Sequence, residues 1–100
     1  MNKKSRGRFA NHLLKYRQRM GYSQSDVAEI LGFSNSSQIC QWEKGARVPT
    51  LENIFKLSIL YRAPVIFLFL PWYKLLREEI RAREEEWRIK TGYYEKIQCE

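Results

Sequence analysis

Three glycines constrain this chain more than any other feature. Gly21, Gly32 and Gly45 each close a short segment whose apolar residues recur at helical spacing. A glycine just past such a run lets a helix end in left-handed backbone. The first run, Phe9, Leu13, Leu14, Tyr16 and Met20, predicts a helix from about Phe9 to Gly21. The second opens on Ser23-Gln24-Ser25-Asp26. There the Ser23 side chain can accept from the Asp26 N–H while Asp26 reaches back, a capping box with Asp in place of Glu. Val27, Ala28, Ile30 and Leu31 follow. The third run is SNSSQICQWEKG, residues 34–45. It predicts a helix from about Ser36 to Lys44, with Ser34 or Asn35 as N-cap. No segment reads as a strand, so the fold class is all-α.

The rest of the chain continues the pattern. Pro49-Thr50 starts a fourth helix, with Thr50 as N-cap, through Leu51, Ile54, Phe55, Leu57, Ser58 and Tyr61. Pro64 opens a short fifth helix to about Leu70. Pro71 suits the first turn of a sixth, which runs to about Lys90 ahead of Gly92. Glu79–Arg83, Glu84–Arg88 and Glu86–Lys90 are spaced for i,i+4 pairs along it. In the tail TGYYEKIQCE, Tyr93, Tyr94 and Ile97 either pack or fray. The expected organisation is a flexible basic arm at residues 1–8, a helical domain at 9–70, and a C-terminal helix and tail at 71–100.

The third segment carries a division of labour. At about 100° per residue, Ile39 and Trp42 fall on one side of a helix with Glu43 at its edge. Ser37, Cys40, Gln41 and Lys44 fall on the other, and Gln38 lies between. One face anchors; the opposite face offers hydroxyl, carboxamide, thiol and ammonium groups. A face meant only for water would favour Glu, Lys and Arg, which are better helix formers. A carboxamide can bond adenine N6 and N7 together, and a hydroxyl accepts either kind of partner. A capping cluster of Ser and Asn that merely starts a helix is the plainer explanation.

Charge points the same way as that face. The chain has a net charge of +7 and a pI near 9.7. Residues 1–50 hold +6 of it, and Met1–Met20 contain Lys3, Lys4, Arg6, Arg8, Lys15, Arg17 and Arg19 without an acid. Such asymmetry suits a polyanionic partner on the N-terminal half. Cys40 and Cys99 lack metal spacing, His12 is the only histidine, and no signal peptide is visible. Reduced thiols, a cytoplasmic setting, no metal and no cofactor are expected. The longest apolar run, APVIFLFLPW, is half of a membrane span. No nucleophile beside a base, Gly-rich phosphate loop or apolar carboxylate pair offers an enzyme reading.

Helix, glycine, capped helix, turn, polar-faced helix, glycine is the order of a helix-turn-helix unit. YRQRMGYSQSDVAEILGF and SSQICQWEKGARVPTLENIFKLS resemble the Cro/phage-repressor-like (XRE-type) helix-turn-helix family over about residues 9–70. The likeness rests on Arg17, Gly21, Ser23-Gln24, Val27-Ala28, Leu31-Gly32, Ile39, Trp42-Glu43, Gly45, Pro49 and Leu51. It implies a lambda-repressor-like five-helix DNA-binding domain, here with an appended helix. It also implies base contacts from Ser36, Ser37 and Gln41, flanked by Asn35 and Gln38. Phosphate contacts fall to Gln24, Lys44 and Arg47, with Gln24 also bracing the reading helix. Arg17 and Glu43 match a pair that forms a partly buried salt bridge. Two departures stand out. The turn FSNSSQI is one residue longer than the common form, which shifts the start of the reading helix. No arginine lies on the reading face, so adenine and thymine contacts are expected to set the preference.

The fifth helix departs further. VIFLFL is apolar all round and must be covered on every side. A homodimer seam from Ile66, Phe67, Phe69, Leu76, Ile80 and Trp87 is one cover; a sixth helix folded back on the fifth is the other. The arm either follows DNA or is a spectator. The expected function is a dimeric repressor on an inverted-repeat operator. The alternative is an antitoxin that holds a toxin through its C-terminal region and represses its own operon.

Overall fold

The structure, a computed structural model, describes residues 9–98. All regular structure among them is helical: α1 (Leu13–Met20), α2 (Gln24–Leu31), α3 (Ser37–Glu43), α4 (Leu51–Tyr61), α5 (Val65–Leu68), α6 (Leu70–Thr91) and α7 (Tyr93–Gln98). The arm with Lys3, Lys4, Arg6 and Arg8 lies outside the described residues, as does Cys99.

Local chemistry sets most of the boundaries. The capping box at α2 forms as expected: Asp26 N donates to Ser23 Oγ at 3.0 Å, and Ser23 N donates to Asp26 Oδ2 at 2.8 Å. Thr50 Oγ1 accepts from Asn53 N at the start of α4. Gly21 and Gly32 end α1 and α2 at φ 79° and 88°. A Cβ at either would meet no atom within 4 Å, so the demand for glycine there is conformational.

The predicted first helix starts too early. Phe9 lies outside α1, because residues 9–12 spend their hydrogen bonds on distant parts of the chain. Phe9 N donates to Gly45 O at 3.1 Å and His12 N to Leu68 O at 2.8 Å. The Asn11 amide donates to Phe9 O and to Trp42 O, while its Oδ1 accepts from Leu13 N and starts the helix. This strap ties the end of α3 to the end of α5.

The core gathers Leu13, Val27, Ala28, Ile39, Trp42, Leu57, Tyr61, Leu68 and Phe69 from the first five helices and the joint after α5. Ala28 is small enough to let α2 and α3 approach where they cross. Phe33 meets Trp42 edge-on, ring centroids 5.8 Å apart.

Beyond Leu70 the chain leaves this core. α6 is about 33 Å long at 1.5 Å per residue, and none of its residues is buried. The radius of gyration is 18.3 Å and the long axis 58 Å, against roughly 13 Å for a compact chain of this length. Among the described residues, the α6 helix meets the body at its root, where Trp72 packs against Phe9 at 4.8 Å and Phe69 at 6.2 Å. It does not fold back along α5. What folds back is α7, turning at Gly92 (φ 71°). Tyr93 meets Trp87 at 5.9 Å, and Tyr94 OH donates to Glu85 at 2.7 Å. Of the three expected i,i+4 pairs on α6, Arg83–Glu79 and Arg88–Glu84 form; Glu86–Lys90 does not come within ion-pair distance.

Candidate nucleic-acid interface

The interface is built on how α3 is seated. Ile39 is 1% and Trp42 4% exposed, so the helix is anchored through these two side chains. Ser37, Gln38 and Gln41 are exposed on the far side. The helix begins at Ser37, one residue later than expected, and Asn35 Oδ1 accepts from Ser37 N at 2.9 Å. Asn35 is thereby engaged in starting the helix, and Ser36 is half-buried, lining a hollow with Ser25 and Glu29 of α2. Of the five expected base-contacting residues, Ser37, Gln38 and Gln41 share one open cleft.

That cleft, about 410 Å³, lies between α3 and the start of α4 and also takes in Arg47, Thr50 and Asn53. Gln41 O accepts from Ala46 N at 3.0 Å and Arg47 N at 3.4 Å, holding the turn against the helix. Thr50 reads in the sequence only as a cap and Asn53 carries no signal there; the fold brings the start of α4 beside the glutamines.

A second cleft of about 370 Å³ flanks the other side of α3, lined by Arg17, Gln24, Cys40, Glu43 and Lys44 with Leu14 and Asn11. Cys40 is half-buried here instead of fully outward, lining the cleft with Leu14 and Arg17 of α1. The two expected phosphate-contacting cations, Lys44 and Arg47, line the clefts on opposite sides of α3.

Glu43 organises the second cleft. Its carboxylate accepts from Arg17 Nε at 2.6 Å, Arg17 Nη2 at 3.1 Å and Gln24 Nε2 at 2.9 Å. Arg17 Nη1 adds a bond to Tyr22 O. The hydrogen bond from Arg17 to Glu43 raises the Arg17 pKa above its ordinary value despite the opposing effect of burial. One carboxylate thus fixes the first turn of α2 and the last turn of α3 to α1. The expected Arg17–Glu43 bridge is present, and Gln24 braces α3 through it.

Deeper still, Tyr61 is buried with no hydrogen-bond partner for its hydroxyl among the described residues. Burial, reinforced by the charge of Glu43, raises its pKa well above the usual phenol value. Among the described residues no cluster of His, Cys, Asp and Glu is arranged to hold a metal, and no helix is long and apolar enough to cross a membrane.

A helical body that seats one helix by its apolar side, presents amides and hydroxyls on the other and flanks them with cations is a helix-turn-helix DNA-binding domain. The profile of the helix-turn-helix family matches residues 13–68, and the chain belongs to that family, of the Cro/phage-repressor-like (XRE) type. It is a DNA-binding protein of the transcription-regulator kind. No curated protein and no solved structure matches it.

Proposed function

We propose that the chain is a dimeric repressor that occupies an inverted-repeat operator, with α3 in the major groove of each half-site. The observation that carries this reading is the seating of α3: Ile39 and Trp42 inward, Ser37, Gln38 and Gln41 outward, with Gln24, Lys44 and Arg47 around them. Carboxamides on base edges supply sequence choice, and cations on phosphates supply affinity that falls with salt. A dimer sets two reading helices one DNA turn apart, about 34 Å.

The apolar surface left on α5 and α6 supports the second copy. Ile66, Phe67, Leu76, Ile80 and Trp87 are each 42–55% exposed. At on the order of 200 Å² per side chain they leave roughly 500 Å² of apolar surface. A standard interface buries about 800 Å² per partner, a little over half of it apolar. Phe69, expected in that seam, is only 6% exposed and lies in the core, so it has no surface to lend.

Binding to a selected operator and to random DNA tests the reading. Gln41→Ala should weaken the operator complex by about 1–3 kcal/mol and leave random DNA nearly unchanged. Lys44→Ala should weaken both alike. Equal loss on both DNAs for Gln41→Ala removes it from the reading face.

A further inference from the structure

One charged surface lies outside the family domain, on α6. Lys74, Arg77 and Arg81 fall there within about 60° of one another at 100° per residue. All three are exposed. Among the described residues none of them has a carboxylate within ion-pair distance, although Glu78 and Glu85 are one helical turn away. Glu85 instead accepts from Tyr94 OH at 2.7 Å. Arg77 lies 5.9 Å from the Tyr73 ring, an arrangement that leaves its guanidinium open to solvent. The stripe ends at Arg88, which is committed to Glu84 at 2.9 Å and to the Tyr93 ring at 4.9 Å. The charge along α6 is also uneven. The half nearer the body, residues 70–83, carries net positive charge, and residues 84–91, with Glu84, Glu85 and Glu86, carry net negative charge.

The root of this helix is tied to the turn that follows α3. Trp72 packs on Phe9, and Phe9 N donates to Gly45 O in the turn that also presents Arg47. The cationic stripe lies about 100° around α6 from the apolar stripe of Leu76, Ile80 and Trp87. A second copy docked on the apolar stripe leaves Lys74 and Arg81 uncovered, with Arg77 at the edge of the seam, about 60° from Ile80.

We infer that Lys74, Arg77 and Arg81 form a second DNA-backbone site, through which α6 meets phosphates outside the segment read by α3. The inference rests on the DNA-binding reading above. Unpaired cations on a solvated helix lose little on meeting phosphate, and each phosphate neutralised releases condensed counterions. Lys74 and Arg81 are about 10 Å apart along the axis, enough to engage more than one phosphate.

The test is the slope of log affinity against log salt for a selected operator flanked by several base pairs. Every phosphate that is no longer neutralised makes that slope shallower by about 0.9. Arg77→Gln/Arg81→Gln should reduce it by close to two units, a loss of roughly tenfold in affinity at low salt relative to high. Lys56→Gln/Lys90→Gln removes equal charge elsewhere and should reduce it by much less. Identical slopes for the two double variants overturn the inference. So does a stripe variant that changes oligomeric state in sedimentation, which assigns the stripe to protein. An unaltered chain with no salt-dependent affinity for any duplex would instead overturn the underlying DNA-binding reading.

Discussion

Glu43 shows what a single residue does here. It lies at the edge of the apolar face of α3, where it reads as a core-edge acid, and three donors from α1 and α2 converge on its carboxylate. Its side chain is 6% exposed and that of Arg17 12%. Removing one partner of such a pair leaves the other charge uncompensated, at a cost of about 3 kcal/mol or more. Glu43→Ala should lower the thermal midpoint by roughly 10 °C or more; a shift of a degree or two would mean that water already solvates the pair. Tyr61 behaves in the opposite way, since its buried hydroxyl has no partner among the described residues to lose. Tyr61→Phe should be neutral or stabilising by up to about 1 kcal/mol at neutral pH. Burial raises the Tyr61 pKa above its unfolded value. The unfolded chain therefore releases this proton near pH 10, where the folded chain still holds it, and stability falls as pH rises beyond that point. Denaturant titrations at pH 9 and pH 11 should show a smaller loss in Tyr61→Phe than in the unaltered chain; equal losses would mean that the hydroxyl is not shielded.

At the scale of elements, the helices divide into two kinds. α1 to α5 are short and bury part of their surface in one core. α6 is long, has no fully buried residue, and among the described residues is supported by its root, two ion pairs and the returning α7. A helix of that length with half-exposed leucine, isoleucine and tryptophan is stabilised more by packing than by propensity. In the dimer proposed above, a second α6 would supply that packing. Ile80→Glu should shift the chain toward monomer in sedimentation and weaken an inverted repeat far more than an isolated half-site. Retention of the dimer would move the interface off α6, and co-elution with a different small protein would favour the antitoxin reading.

For the whole molecule, local rules made much of the body legible. The capping box at Ser23 and Asp26, the Thr50 cap and the glycine stops need only neighbours in sequence, and they are where the chain pattern puts them. The two faces of α3 follow from helical period alone, so Ile39 and Trp42 could be assigned inward from the sequence. Other features depend on partners far along the chain. The strap of Phe9 to His12 has an apolar spacing that suits a helix, and is held out of one by Gly45, Trp42 and Leu68. Phe69 reads like its exposed neighbours Ile66 and Phe67 but is buried, because the chain bends there between α5 and α6. Asn53 lines the cleft with Ser37, Gln38 and Gln41 only because the fold brings the start of α4 there. Sequence by itself determined that α1 to α6 form, where the glycines stop them and the outward side of α3, since those depend on interactions within a turn or two of backbone. Only the tertiary structure decided which residues share a cleft, which apolar groups stay exposed and that α6 stands apart from the core, because those depend on the packing angles of helices distant in the chain.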